Sequence, residues 1–244
     1  MQEVSGRIVA NEALTDSVNR LTLRVEGLEL QRPGQFVNLK IEGLFLRRPI
    51  SIFDQEGPEL RLIFKRVGKG TEALAGLTAG TELSLLAGLG NGYDLEKAGD
   101  RPLLIGGGVG VPPLYLLARR LREAGIRPIA VLGFNTAGEV FGVKDFEALG
   151  CETRLATADG SAGARGFVTD ILPEDYSYVY TCGPEPMLRA VYGKIRTSGQ
   201  FSFEERMGCG FGACMGCTHK TKNGFKRICR EGPVLEKEEI LWDD

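Results

Sequence analysis

The sequence predicts a chain of α/β plus β class: an antiparallel β-barrel, a parallel-sheet α/β domain and a small C-terminal cluster-binding region. Three observations predict this order. Residues 1–97 show apolar residues at a period of two, residues 98–199 alternate strand and helix patterns, and residues 200–244 combine cysteines with many glycines. At about 100–200 residues per domain, a chain of 244 residues is long enough for more than one domain.

Composition narrows the function classes. The net charge is −2 and no block of like charge is long, so we expect no nucleic-acid surface. No apolar run approaches the ~18 residues of a membrane span, and no basic, apolar leader follows Met1. We therefore expect a cytoplasmic protein, in which thiols stay reduced. Six cysteines in that compartment suggest metal binding or catalysis before disulfides.

The first region reads as short strands. Residues 19–27 and 36–41 alternate apolar and polar side chains, and similar runs recur at 50–53 and 60–67. Glycine- and proline-containing turns separate these runs, as at 68–70. Several short strands at this spacing predict a small antiparallel barrel.

The second region alternates strands and helices. Residues 101–108 form an apolar run that ends in glycines, as a buried parallel strand does. Residues 112–125 follow as an amphipathic helix that begins with two prolines and ends near a glycine. The remaining predicted elements are a strand at 128–134, a helix at 143–150, a strand at 152–158, a strand at 176–184 and a helix at 184–199.

The cysteine-rich region has the spacing C-x4-C-x2-C-x11-C at Cys209, Cys214, Cys217 and Cys229. Its first three cysteines match the spacing of plant-type [2Fe–2S] proteins. Glycines between the ligands allow the tight turns that such a loop needs. Structural zinc is the alternative, but zinc sites usually use two short ligand pairs, and here the last cysteine stands alone. A Rieske centre is excluded because the chain has a single histidine.

A glycine loop follows the first predicted parallel strand. Residues 106–110 place four glycines before a helix, where a pyrophosphate can rest on free N–H groups. The dinucleotide fingerprint is imperfect, since Val111 stands at its third glycine position. Residues 133–135 end the next strand without an acidic residue, and without an arginine for a 2′-phosphate, which favours NAD over NADP. An ordinary strand-to-helix turn remains the alternative.

The segment TCGPEPML, residues 181–188, is a second candidate for nucleotide binding. A strand ends at Cys182, and a Gly-Pro turn leads into the next helix. Carboxyl ends of parallel strands are where such sheets bind ligands. The alternative is that Cys182 is simply a small buried residue.

The segment RRPISIF, residues 47–53, is a candidate cofactor strand in the first region. The planar guanidinium of Arg48 suits a phosphate, and Ser51 can hydrogen-bond a ring system. Gly70 and Thr71 begin a short helical stretch that offers another anion site. The alternative is a surface arginine beside a proline at a sheet edge.

In this order, the R-P-I-S strand, the GGGVGVPP loop, the TCGPEPML turn and the GCGFGACMGC tail with its ICREGPVL ending resemble the ferredoxin-reductase superfamily. Within it, the chain is similar to the electron-transfer subunits of two-component, NAD-linked dihydroorotate dehydrogenases over essentially its whole length. One segment departs from that family, because Ala87-Gly88 precede L-G-N-G (89–92) where Gly-Pro is common.

The resemblance implies three bound groups and three regions: an FAD-binding barrel (1–97), an NAD-binding domain (98–199) and a [2Fe–2S] region (200–244). The implied FAD-binding residues are Arg48, Pro49, Ile50, Ser51, Ile63, Phe64, Lys65, Gly70 and Thr71. The implied NAD(H)-binding residues are Gly106, Gly107, Gly108, Gly110, Cys182, Gly183, Pro184, Glu185 and Met187. The implied metal ligands are Cys209, Cys214, Cys217 and Cys229.

The resemblance also implies a partner, an FMN-containing catalytic subunit that oxidises dihydroorotate, in a heterotetramer with two chains of each kind. Electrons would pass from that subunit through the cluster and FAD to NAD⁺, in de novo pyrimidine (UMP) biosynthesis. We expect Phe211 and Met215 to be buried against the partner, and charge reversal at Lys222 and Lys226 would test how near that contact they lie. No general acid, base or nucleophile is expected, and Cys182 is the one candidate beside the hydride path.

Two alternatives stay open from the sequence. The first is another NADH-linked flavin and iron–sulfur subunit, serving a ferredoxin-NADP transhydrogenase or a soluble hydrogenase. The second is a non-enzymatic binding module stapled by zinc, which predicts a colourless protein. The joint occurrence of three motifs disfavours the second alternative.

Overall fold

The computed structural model describes residues 1–28 and 32–242. Six strands close an antiparallel barrel in the order β1-β2-β5-β4-β3-β6, as the sequence predicts. They are β1 (Gln2–Ala13), β2 (Val18–Arg24), β3 (Phe36–Leu39), β4 (Arg48–Glu56), β5 (Glu59–Lys65) and β6 (Glu82–Leu89). A short helix, α1 (Lys69–Ala75), connects β5 to β6 and confirms the helical stretch predicted after Gly70.

The period-two pattern fills the barrel interior. Leu21 and Leu23 on β2 pair with Leu62 and Leu60 on β5, and all four side chains are fully buried. Burying one such leucine stabilises the fold by about 1.5–3 kcal/mol. The alternation seen in the sequence is therefore the barrel core.

The α/β domain is a seven-stranded sheet in the order β10-β9-β8-β7-β11-β12-β15. Its elements are β7 (Leu103–Gly107), α2 (Pro112–Glu123), β8 (Ile129–Phe134), α3 (Val143–Ala148), β9 (Glu152–Thr157), β10 (Ala164–Arg165), β11 (Val179–Cys182), α4 (Glu185–Lys194), β12 (Gly199–Ser202) and β15 (Val234–Glu236). All pairings are parallel except that of β15 with β12. The chain reverses its direction of growth at β7, so the crevice between the carboxyl ends of β7 and β11 is the expected ligand position.

The C-terminal region contributes more regular structure than its sequence pattern predicts. Helix α4 ends at Lys194, earlier than predicted, because the chain from Gly199 onward joins the sheet as β12. The predicted boundary between the second and third regions thus falls inside β12, and β15 adds a further strand beside it. A hairpin of β13 (Thr218–Thr221) and β14 (Gly224–Arg227) follows the third cysteine.

Helix α2 joins the two domains because two of its faces are buried. The predicted apolar face packs on the sheet, and a second face lies against the barrel. Tyr115 stacks on Phe53 of β4, with ring centroids 4.2 Å apart. None of the described helices is long and apolar enough to cross a membrane.

An ion pair accompanies this stack. Arg119, a charged residue of the amphipathic helix α2, is only 19% exposed and lies 2.8 Å from the carboxylate of Asp54, which is 4% exposed. Arg119 Nη2 donates its hydrogen bond to the Gln55 carbonyl at 2.6 Å, so its contact with Asp54 is electrostatic. Burial raises the pKa of Asp54, while Arg119 and Arg61 act in the opposite direction.

Arg119→Met should lower the free energy of unfolding by about 2–4 kcal/mol at neutral pH, because it leaves Arg61 as the remaining cationic partner of the buried Asp54 among the described residues. Since the folded-state pKa of Asp54 is already raised, the deficit should narrow as the pH falls and Asp54 becomes protonated. Urea unfolding at several pH values measures both effects.

Arg120→Met is the matched control, because Arg120 lies beside Arg119 on the same helix and its one ion pair within the described residues is with Glu123 at the surface. A surface pair of this kind contributes about 0–1 kcal/mol. Equal loss of stability in the two variants would contradict the role given to Arg119.

Candidate functional site

A cavity of about 530 Å³ lies where the barrel meets the carboxyl end of the parallel sheet. This volume is in the range of small-molecule and cofactor sites, about 300–1,000 Å³. Of the residues predicted to bind nucleotide or flavin, the cavity is lined by Gly107, Gly108, Gly110, Gly183, Pro184, Met187 and Lys65. The two predicted nucleotide motifs therefore meet at one site, with a barrel strand opposite them.

The glycine loop and the Cys-Gly-Pro turn approach so closely that side chains are excluded. A Cβ on Gly110 would lie 2.3 Å from the carbonyl oxygen of Cys182. A Cβ on Gly107 would lie 2.5 Å from Met187 Sδ, and one on Gly183 would lie 2.5 Å from Met187 Cε, so at these two positions the Met187 side chain would have to move. These glycines leave backbone rather than side chains at the cavity wall, as a pyrophosphate-binding loop needs.

Three predicted nucleotide residues do not line the cavity. Gly106 and Cys182 are buried behind it, and Glu185 lies at the exposed start of α4. Burial raises the pKa of the Cys182 thiol, and the nearby Glu204 carboxylate raises it further. The thiol therefore keeps its proton at neutral pH and is not poised as a nucleophile.

Glu204 is a cavity residue that the sequence analysis missed. It follows β12, lines the cavity and is open to water, yet protein atoms surround it closely enough for burial to raise its pKa. The sequence gives little indication that Glu204 follows a strand, because β12 is short and its apolar residues show no clear periodicity. Glu139, also unpredicted, lines the cavity beyond the end of β8.

The residues predicted to hold FAD lie largely outside this cavity, at the end of the barrel where β4 begins. Arg48 lies against the first turn of α1, where a Cβ on Gly70 would come within 2.0 Å of its Nε. Its Nη1 donates to the carbonyls of Leu46 at 2.5 Å and Arg47 at 3.3 Å. The structure thus brings the R-P-I-S strand and the Gly-Thr pair together.

Three other predicted flavin residues have structural roles. The Thr71 hydroxyl accepts hydrogen bonds from the N–H groups of Val67 at 2.9 Å and Gly68 at 3.2 Å, which fixes the turn before α1. Phe64 points into the barrel core, whereas Ile63 packs toward the α/β domain. Pro49, Ile50 and Ser51 are partly exposed.

The four cysteines of the tail are unbonded neighbours, and the Cys229 N–H donates to Cys217 Sγ at 3.5 Å. The Sγ of Cys209 interacts with the side chain of Cys214, and the Sγ of Cys229 interacts with Cys217. Among the described residues, no three His, Cys, Asp or Glu side chains surround one metal-ion position. Two pairs of thiols fit a two-iron cluster, in which each iron takes two cysteine ligands.

Backbone donors around Cys209 suit a thiolate ligand. The N–H groups of Ala213 and Cys214 donate to Cys209 Sγ at 3.2 and 3.4 Å. Burial opposes ionisation of this thiol, but these donors and Phe211 N–H lower its pKa to about 6. Burial is the main cause that raises the pKa of Cys229 to about 12, and its hydrogen bond with the Cys217 side chain is the second. The cysteine loop therefore provides both thiols and the N–H donors that a cluster requires.

The cysteine loop rests directly on the barrel. Asn38 on β3 pairs with Pro49 on β4, and its Nδ2 donates to the Cys209 carbonyl at 3.1 Å. Gly210 lies so close that a Cβ would stand 2.3 Å from Asn38 Nδ2. The loop thus lies one strand away from the R-P-I-S segment.

A second contact holds the C-terminal region to the barrel. Asn91, in the L-G-N-G segment, donates through Nδ2 to the carbonyls of Glu231 at 3.0 Å and Val234 at 2.7 Å. Its Oδ1 accepts the Val234 N–H at 3.1 Å. This segment therefore anchors the end of the cysteine region.

Comparison with known proteins agrees with this geometry. Residues 204–241 match the family model of the iron–sulfur cluster binding domain of dihydroorotate dehydrogenase B. The electron transfer subunit of dihydroorotate dehydrogenase B (NAD(+)) from Shouchella clausii is 42% identical, over 99% of this chain and 100% of that protein. The same subunit from Lysinibacillus sphaericus is 41% identical, over 95% of each.

Solved structures show the same architecture. A chain of an NADH-dependent reduced ferredoxin-NADP oxidoreductase superposes with a TM-score of 0.89 at 29% identity, over 97% of this chain and 90% of that chain. The ferredoxin reductase of carbazole 1,9a-dioxygenase superposes with a TM-score of 0.67 at 25% identity, over 79% of this chain and 66% of that chain.

Gly210→Ala should displace the cysteine loop from the barrel, because its φ is +77° and the added Cβ would collide with Asn38. We expect most of the bound iron and sulfide to be lost, with FAD retained. Metal and sulfide analysis of the purified variant measures this. Gly193→Ala is the control, since it adds a methyl group in open space on α4. Full iron content in Gly210→Ala would contradict the fit of the loop.

Proposed function

This chain belongs to the family of electron transfer subunits of dihydroorotate dehydrogenase B, and from this premise we propose that it passes electrons between a dihydroorotate-oxidising subunit and NAD⁺. When bound, a [2Fe–2S] cluster would supply one-electron transfer, and FAD would connect two such single-electron steps to the electron pair carried by one hydride. In de novo pyrimidine synthesis this reaction yields orotate.

The observation that carries the proposal is the contact between the cysteine loop and the barrel. Asn38 lies on β3, paired with Pro49 of β4, and its side-chain amide donates a hydrogen bond to the Cys209 carbonyl. A cluster on Cys209, Cys214, Cys217 and Cys229 would therefore lie beside the barrel face assigned to FAD. This closeness supports direct electron exchange between the two groups.

The protein residues would position the groups and exclude water. We assign Arg48, the first residue of β4, to the FAD phosphates. Its guanidinium already lies against Gly70 in the first turn of α1. Pro49, Ile50 and Ser51 would contact the flavin from the same strand, with Ile63, Phe64, Lys65 and Thr71 supporting it. The glycine loop, with the turn at Gly183 and Pro184, would hold the nicotinamide nucleotide in the cavity between the domains.

No side chain of the site would need to act as a general acid or base, because bound FAD would supply direct hydride exchange with the nucleotide. Cys182 lies behind the cavity wall as a protonated thiol. We infer that it supports the Cys-Gly-Pro turn beside the hydride path and takes no proton. This role agrees with its burial.

The partner surface is proposed at the cysteine loop. Phe211, Met215 and Phe225 are 39%, 54% and 72% exposed around the cysteines. Met215 also has a φ of +63°, a conformation unusual for a residue with a side chain. Exposed apolar side chains in one region indicate an interaction surface, and the cluster requires the partner to approach closely.

The surrounding lysines are less suitable for probing this surface. Lys226 pairs with the buried Glu239, and Lys222 Nζ donates to the Glu238 carbonyl at 2.9 Å. Reversing either charge would disturb the β13–β14 hairpin itself. The apolar side chains provide a cleaner test of docking.

We further propose an FMN-containing catalytic partner in a heterotetramer with two chains of each kind, and a cytoplasmic location. All six cysteines are free thiols, which suits a reducing compartment. The similarity to a ferredoxin-NADP oxidoreductase chain is lower in identity than that to the dihydroorotate dehydrogenase subunits, 29% against 42%. The dihydroorotate partner is therefore favoured over the transhydrogenase alternative.

Phe225→Ser should weaken binding to the catalytic subunit about tenfold or more, as loss of a central apolar contact does. Reduction of the flavin by NADH in the isolated chain should stay unchanged. Val9→Ser, at an exposed site on the barrel strand β1, is the control. Titration calorimetry with the purified partner measures both variants. Wild-type affinity in Phe225→Ser would move the docking surface elsewhere.

The function itself is tested by mixing the purified chain with its catalytic partner and supplying dihydroorotate and NAD⁺. We expect NADH and orotate to form in equal amounts, and only when both subunits are present. If orotate formed without NADH, or NADH-linked turnover required a different electron donor, the proposal would be wrong.

A further inference from the structure

Glu139 lines the edge of the cavity beside β8, and it comes from the turn after that strand rather than from the strand itself. Strand β8 ends at Phe134, and Asn135 follows. A short helical turn, Ala137–Glu139, then brings Glu139 back to the end of the strand. Glu139 Oε2 accepts hydrogen bonds from the Asn135 N–H at 3.3 Å and from its Nδ2 at 2.9 Å.

This turn is held in place by the neighbouring loop. The Ala137 N–H donates to Ser161 Oγ at 2.7 Å, and Ser161 Oγ donates to Asp159 Oδ1 at 2.6 Å. The Asp159 N–H in turn donates to the Asn135 carbonyl at 3.2 Å. Glu139 is therefore presented on a turn that is fixed before any ligand binds.

One oxygen of Glu139 remains available to a ligand. Oε2 carries both hydrogen bonds from Asn135, and Oε1 accepts none from the residues that the structure describes. Glu139 is partly exposed and lines the cavity together with Gly133, Phe134 and Asn135. A free carboxylate oxygen at the end of the second strand of a dinucleotide-binding sheet is where the adenosine ribose is recognised.

We propose that Glu139 determines specificity for NAD(H) over NADP(H), by accepting a hydrogen bond from the ribose 2′-hydroxyl and repelling a 2′-phosphate. This inference rests on the proposed function, since it assumes that the cavity binds a nicotinamide dinucleotide. It supplies the acidic residue that is missing from the end of β8 in the sequence.

Glu139 forms no ion pair with a lysine or arginine in the described part of the chain; its hydrogen bonds come from Asn135. Lys65, from barrel strand β5, is the only basic residue among those lining the cavity in the described part of the chain. Arg165 is close to the same loop, but its methylene groups pack against Gly160 and it does not line the cavity. A 2′-phosphate would thus meet a carboxylate without a paired cation. An unpaired like charge is a common way to reject a wrong ligand.

The test uses the FAD-loaded chain in stopped-flow reduction by NADH and by NADPH at one ionic strength. In Glu139→Gln the charge is removed and the shape kept. We expect the ratio of kcat/KM for NADH to that for NADPH to fall by about tenfold or more, chiefly through faster reduction by NADPH. Glu147→Gln, an exposed glutamate on α3, is the charge-matched control and should leave the ratio unchanged.

Glu139→Asp provides a second variant that keeps the charge and shortens its reach. It should slow reduction by NADH while NADPH stays a poor substrate, because the repulsion remains. Bound FAD and the melting temperature, measured on every variant, report whether the fold is intact.

The inference is overturned if Glu139→Gln keeps the wild-type ratio, or if Glu139→Asp accepts NADPH. Either result would leave the proposed function standing, provided that NADH still reduces the wild-type chain. Failure of NADH to reduce the wild-type flavin would instead contradict the proposed function itself.

Discussion

The structure depends on the contact between barrel strand β4 and helix α2. β4 begins at the R-P-I-S segment, and α2 begins directly after the glycine loop. Farther along the two elements, Phe53 stacks on Tyr115, and Asp54 lies beside Arg119. This contact fixes the R-P-I-S segment, assigned to FAD, relative to the glycine loop, assigned to the nicotinamide nucleotide. Because hydride transfer needs reacting atoms about 3–3.5 Å apart, this contact has to be rigid.

The same constraint explains why the C-terminal region folds back on both domains. β15 pairs with β12 at the edge of the sheet, while Asn91 binds the carbonyl of Val234 from the barrel side. Asn38 meets the cysteine loop at its other end. The region is thus held at three places, and a cluster there would keep a fixed distance from the barrel. One-electron transfer requires that closeness.

Elements that depend on local sequence patterns were predicted, whereas residue positions that depend on contacts between distant parts of the chain were not. Alternation on β2 and β5 predicted the barrel because one face of each strand is buried, and the cysteine spacing identified the loop. Burial of Arg119 was not predictable, since it depends on Asp54 in another domain. Glu139 was missed because a turn, rather than the strand itself, places it at the end of β8. The short strands β12 and β15 have too few residues for a period. The assigned roles of individual FAD and NAD(H) residues remain predictions.

The central claim is that one chain connects a nicotinamide nucleotide to an iron–sulfur cluster through a flavin. The most direct measurement is the visible and electron paramagnetic resonance spectrum of the anaerobically purified chain, before and after addition of NADH. We expect flavin and iron–sulfur absorption that both bleach on addition of NADH, with the signal of a reduced [2Fe–2S] cluster. A flavin that bleaches while zinc occupies the four cysteines, or a colourless protein, would contradict the central claim.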